Sequence, residues 1–145
     1  MGYKVLVPTA GTGSRLGGIT KYINKSLVNL GNEPAISRII ESFPEDTEFV
    51  IPTGYKGQLV KEYLHLAYPD KKIYFTDVLL YEGYGSGLGL TILTAKDLLQ
   101  EPFIFCSCDT LVNEQIPAPD YNWMGFDHRE NKEQYRTVHM NKDGI

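Results

Sequence analysis

The sequence predicts an α/β layered sheet, mostly parallel, with helices on both faces. Two observations predict it. Short apolar runs rich in β-branched residues alternate with segments of helical period, and the first run leads directly into a glycine-rich loop. In such a sheet the ligand is expected beyond the carboxyl ends of the strands.

Taken in order, residues 4–8 (KVLVP) form the first buried strand, and Thr9-Ala10-Gly11-Thr12-Gly13-Ser14-Arg15 is too rich in glycine to extend it. Residues 34–43 (PAISRIIESF) open with proline, a favoured first helical residue, and repeat apolar positions at 36, 39, 40 and 43. Residues 48–52 (EFVIP) give a second strand, 58–66 a second helix, and 72–76 (KIYFT) a third strand. Residues 77–84 read as a loop. A long helix is predicted over 86–99, with Leu88, Ile92, Ala95 and Leu99 on one face and Ser86 as its N-cap. Residues 102–107 (PFIFCS) make a fourth strand ending at Asp109, and 121–126 and 135–140 are two further strands. Residues 141–144 look like a hairpin turn, with Ile145 starting the return strand, so the sequence reads as incomplete at its C-terminal end.

A length of 145 residues favours one domain with a real core, and 42% hydrophobic against 22% charged residues marks it as globular. The formal net charge of −4 argues against nucleic acid or a membrane surface as partner, since both are polyanions. The only two cysteines, Cys106 and Cys108, stand too near for an unstrained bridge and point the same way along a strand, as buried thiols. With no leader-like start and no run of about 18 apolar residues, a cytoplasmic location is the default. The histidines lack partner spacing and read as structural or solvated.

The loop after the first strand carries the chemistry. Glycines let backbone amides turn tightly and approach phosphate oxygens, and Arg15 adds a forked, permanent cation. The dinucleotide fingerprint fails, because Leu16 occupies its third glycine position. The P-loop pattern fails as well, with Ile19 at its first glycine and Asn24 before Lys25-Ser26.

What fits is Gly11-x-Gly13-x-Arg15-Leu16, then Thr20, then Lys25-Ser26-Leu27. This arrangement resembles the nucleotidyltransferases that make NDP-sugars and CDP-phosphocholine, whose signature is G-x-G-x-R-[LM] followed by P-K-x-L. The resemblance spans about residues 3–145, which would be the N-terminal, nucleotide-binding portion of a typical member. It implies a Rossmann-like, GT-A-like fold and transfer of NMP from an NTP to a sugar 1-phosphate with release of pyrophosphate, the chemistry of NDP-sugar biosynthesis. A cytidylyltransferase for a phosphorylated non-sugar such as phosphocholine, or a non-catalytic nucleotide-binding regulatory protein, is the alternative.

By the same resemblance, Ala10, Gly11, Thr12 and Gly13 would cradle the triphosphate, Arg15 would hold its β and γ phosphates, and Lys25 the α. Gly85 and Ser86, in the run Gly83-Tyr84-Gly85-Ser86-Gly87-Leu88-Gly89, would lie against the base. Asp109 would hold Mg²⁺ at the end of the fourth strand, in place of the family's G-D-[NST] element, with Cys108 where the glycine stands. Leu80 stands near the position of a base-reading glutamine, which leaves the base open. Asn24 replaces the proline of P-K-x-L, which predicts a looser turn around Lys25. The partners implied are an NTP and a phosphorylated small-molecule acceptor; assembly into a homo-oligomer is left open. The 145 residues alone are expected to be weakly active or inactive.

Overall fold

In a computed structural model of the chain, residues 2–128, 130, 133 and 137–139 are described. Four strands form one sheet in the order β3-β2-β1-β4: β1 (Lys4–Leu6), β2 (Glu48–Thr53), β3 (Ile73–Asp77) and β4 (Phe103–Phe105). All three pairings are parallel, with Val5 opposite Phe49 on one side and Ile104 on the other. Three α-helices connect them: α1 (Ala35–Glu41), α2 (Gly57–Ala67) and α3 (Leu88–Thr94).

The period of two divides each strand between the faces of the sheet. Val5, Val7, Phe49, Ile51, Ile104 and Cys106 point to one side, where they pack with Ile36, Ile39 and Ile40 of α1 and Val60 and Leu64 of α2. Leu6 and Val50 point to the other and meet Ala95, Ile92, Leu98 and Leu99. Helices therefore cover both faces. Cover on both faces explains the unbroken apolar runs Val5-Leu6-Val7 and Phe49-Val50-Ile51, and Leu6, Phe49 and Val50 have no exposed surface.

Several sequence expectations change. The helix over 86–99 is shorter and broken: it starts at Leu88, and after Ala95 the chain makes only a 3-10 turn, Lys96–Leu98. Gly83 and Gly85 adopt φ of 82° and 86°, which keeps the preceding stretch in turns. The hydroxyls of Thr91 and Thr94 donate to the carbonyls of Gly87 and Thr91, and Ala95 N–H turns back to Ile92 O, tightening the last turn. Ser86 is not the N-cap; that place belongs to Gly87, and the Ser86 hydroxyl donates to Gly83 O at 2.7 Å.

Residues 121–126 form no strand. They are rich in aromatic residues, but among the described residues no strand lies beside them, and Pro117 and Pro119 just upstream remove two donors from the approach. Trp123 and Ile116 instead pack against the main core. Of the strand expected over 135–140, Thr137, Val138 and His139 lie inside the described residues and form none; the rest, with the turn at 141–144 and Ile145, lies outside them.

Candidate nucleotide site

Chain order fixes where a ligand can sit. From β1 the chain runs outward through β2 and β3, then returns to place β4 on the other side of β1. The loops leaving β1 and β4 therefore diverge, and a crevice opens between them at this switch point. A cavity of about 260 Å³ occupies it, lined by Ala10, Gly11 and Gly13 after β1, by Ser107 and Cys108 after β4, by Ser86 and Leu88 at the start of α3, and by Lys25.

The floor is held tightly. Gly13 has φ of 65°, and a Cβ there would lie 2.9 Å from Thr20 Cγ2 and 3.0 Å from Lys25 Cβ. Glycine is required on both counts. Thr20 is buried, and its hydroxyl donates to Gly13 O at 3.3 Å, while Tyr55 donates its own hydroxyl to Thr20 O at 2.9 Å. Gly54 lets the turn after β2 press against the loop: a Cβ there would sit 2.8 Å from both Ala10 O and Tyr81 Cβ. Tyr55 N–H then donates to Ala10 O at 2.9 Å.

At the rim, Lys25 Nζ donates to Asp109 Oδ2 at 2.7 Å across 84 residues of sequence. The Ser107 hydroxyl donates to Asp109 Oδ1. Burial works to raise the Asp109 carboxyl, but the hydrogen bonds from Lys25 and Ser107 and the Lys25 charge outweigh it, so its pKa lies below the usual carboxylate range. Asp109 is thus an anion at neutral pH. Cys106 and Cys108 are pushed up to about 11, chiefly by burial, which keeps both thiols protonated. Among the described residues no three His, Cys, Asp or Glu side chains converge.

Asn24 behaves opposite to expectation. Far from loosening the turn, it is completely buried and makes four hydrogen bonds there. Nothing in a lone asparagine advertises this; a polar residue just before a motif lysine is the only signal. Tyr55, Tyr81 and Ser107 were equally silent in the sequence.

The other candidates divide. Ala10, Gly11, Gly13, Lys25 and Ser86 line the cavity, and Asp109 joins it through Lys25. Thr12 is half-buried between lining residues, and Gly85, at the turn before Ser86, approaches Leu80. Arg15 stands exposed on the 3-10 helix Ser14–Lys21, outside the lining.

No family model matches the chain. A UDP-glucose pyrophosphorylase solved with UDP-glucose superposes with a TM-score of 0.65 at 26% identity, over 81% of this chain and 50% of that one. A CTP:phosphocholine cytidylyltransferase from Streptococcus pneumoniae superposes with a TM-score of 0.65 at 22% identity, over 84% and 51%. The chain has the nucleotidyltransferase fold. A curated relative, the bifunctional protein GlmU of Methanococcus maripaludis, is 23% identical over 141 residues, 95% of this chain and 33% of that protein. The chain thus spans about half the length of the solved structures and a third of the curated relative. Within the nucleotidyltransferase fold, the switch-point cavity gathers the glycine loop, Lys25 and Asp109.

Proposed function

We propose that the chain supplies the nucleotide-binding portion of a magnesium-dependent nucleotidyltransferase that moves NMP from an NTP to a sugar 1-phosphate. The observation that carries this reading is the Lys25–Asp109 pair, 2.7 Å apart at the rim of a cavity floored by bare backbone. One cation, one anion and a run of amides at a switch point suit a polyphosphate with its metal.

In this reading the amides of Ala10, Gly11, Thr12 and Gly13 cradle the triphosphate, and Arg15 reaches the β and γ phosphates from the neighbouring 3-10 helix. Lys25 exchanges Asp109 for the α-phosphate. Gly85 and Ser86 lie along the base. An acceptor phosphate oxygen attacks the α-phosphorus in line; the bond to the bridging oxygen breaks, and pyrophosphate leaves with the electron pair. Such a reaction needs orientation and charge neutralisation rather than a protein nucleophile.

Asp109 fits Mg²⁺: it is a half-exposed carboxylate beside a serine hydroxyl, and this hard ion takes one or two carboxylates with substrate phosphates completing its shell. When bound, Mg²⁺ would lower the charge on the reacting phosphoryl group.

Calorimetric titration with CTP, UTP, GTP and ATP in magnesium tests the reading. At least one should bind, and Lys25→Ala should weaken it about 10- to 100-fold, the range for a lost charged hydrogen bond. Equal binding by the variant removes Lys25 from the site. In an intact enzyme that carries this portion, pyrophosphate release with glucose 1-phosphate against phosphocholine as acceptor then separates the substrate classes.

A further inference from the structure

Among the described residues Asn24 is one of the largest side chains with no exposed surface, and it is the polar one of that group. An amide has two N–H donors and a carbonyl with two lone pairs. Here all four are used. Nδ2 donates to Thr9 O at 2.9 Å and to Tyr55 O at 2.6 Å. Oδ1 accepts from Ser26 N–H at 2.9 Å and from the Ser26 hydroxyl at 2.8 Å. The amide's orientation follows from its partners, because two carbonyls need donors on one side and a backbone N–H needs an acceptor on the other.

Those partners belong to three separate segments. Thr9 ends the approach to the glycine loop, Tyr55 lies on the turn after β2, and Ser26 immediately follows Lys25. The backbone of Asn24 stands at φ −69° and ψ 146°, angles that proline also holds. What proline could not supply is the side-chain link. Asn24 itself lies outside the cavity lining.

We propose that Asn24 is the positioning residue for Lys25, a buried amide clamp that locks the lysine's backbone to the glycine loop so that its ammonium stands over the phosphate site and against Asp109. The link to phosphate binding rests on the function proposed above; the link to Lys25 placement does not. Removing the amide leaves the carbonyls of Thr9 and Tyr55 and the N–H of Ser26 without partners in a buried place.

The test is a double-mutant cycle on the 145-residue chain. Wild type, Asn24→Ala, Lys25→Ala and the double variant are titrated with the tightest-binding of the four magnesium NTPs, at a temperature where circular dichroism shows each folded. Asn24→Ala should weaken binding at least tenfold with Lys25 present and less than twofold with Lys25 replaced. Asn24→Pro should bind no better than Asn24→Ala, since it keeps the angles and loses the bonds. The same penalty in both backgrounds makes Asn24 a structural residue only, and wild-type binding by Asn24→Pro makes the backbone angle sufficient; either overturns the proposal.

Asn24→Ser, which keeps an acceptor beside Ser26, replaces the alanine variant if that one is unfolded. A crystal structure of the folded variant without nucleotide gives a readout independent of the proposed function. Lys25 Nζ should lie more than about 4 Å from Asp109, beyond ion-pair range; an intact pair overturns the proposal. If wild type binds no NTP, the functional reading fails, and this distance alone decides the role of Asn24.

Discussion

Gly13 shows how narrowly a single residue can be determined. Its φ of 65° lies where side chains are strained, and the space a Cβ would need is taken by Thr20 and Lys25. Gly13→Ala should therefore destabilise the fold by about 1–3 kcal/mol and displace Lys25, read as a lower urea midpoint together with weaker NTP binding. An unchanged midpoint would mean the loop relaxes freely. Cys108 is informative in the opposite sense: it lines the cavity, yet burial holds its thiol near 11. At pH 7 a disulfide reagent such as DTNB should leave both cysteines unmodified in the folded chain and titrate both in denaturant; rapid labelling of the native protein would show the β4 end to be open. The glycine loop, Lys25 and Asp109 were legible in the sequence because their spacing is local or follows a strand. Asn24 was not, since its value lies in carbonyls 15 and 31 residues away that only the folded chain brings to it.

At the scale of the element, the strands followed their apolar runs to within a residue or two, because a parallel strand buried on both faces leaves a continuous signal. The helix over 86–99 did not. Its periodicity was genuine, and Ile92, Ala95 and Leu99 do share a face, but three positive-φ glycines and two threonine back-bonds shorten it. The stretch 121–126 had aromatic, strand-favouring residues but, among the described residues, no neighbour to pair with, and composition alone makes no ladder.

The end of β3 carries a prediction of its own. Asp77 accepts from Lys61 at 2.6 Å and from Thr53 at 3.0 Å, and these bonds hold its carboxyl below the ordinary range. A carboxylate lowered by folding contributes stability above its unfolded pKa, about 3.9, which is lost as pH falls through the folded value. Acid unfolding of Asp77→Asn should accordingly show a shallower loss of stability below about pH 4 than wild type. An identical acid limb would mean the Lys61 and Thr53 contacts leave the Asp77 titration unchanged between folded and unfolded chains.

For the molecule as a whole, fold and site have one cause. The apolar character of β1 and β2 puts them at the centre of the sheet, β4 takes the place left on the other side of β1, and the diverging loops then enclose a cavity. The core that enforces this order is compact. Phe49 has no exposed surface and meets Phe43 edge to face at 5.9 Å between ring centres. Phe49→Ala should cost about 3–5 kcal/mol, a large share of the roughly 5–15 kcal/mol that holds a typical domain together, read as a lowered midpoint of thermal unfolding. Among the described residues no helix is long and apolar enough to cross a membrane.

The proposed function puts nucleotide polyphosphate at the switch point between β1 and β4. Amide chemical-shift mapping of the labelled chain during titration with magnesium NTP tests it most directly. The largest shifts should fall on Gly11, Thr12, Gly13, Lys25 and the residues flanking Asp109. Shifts confined to the opposite end of the sheet, around Glu41 and Tyr68, or none at millimolar nucleotide, would contradict it.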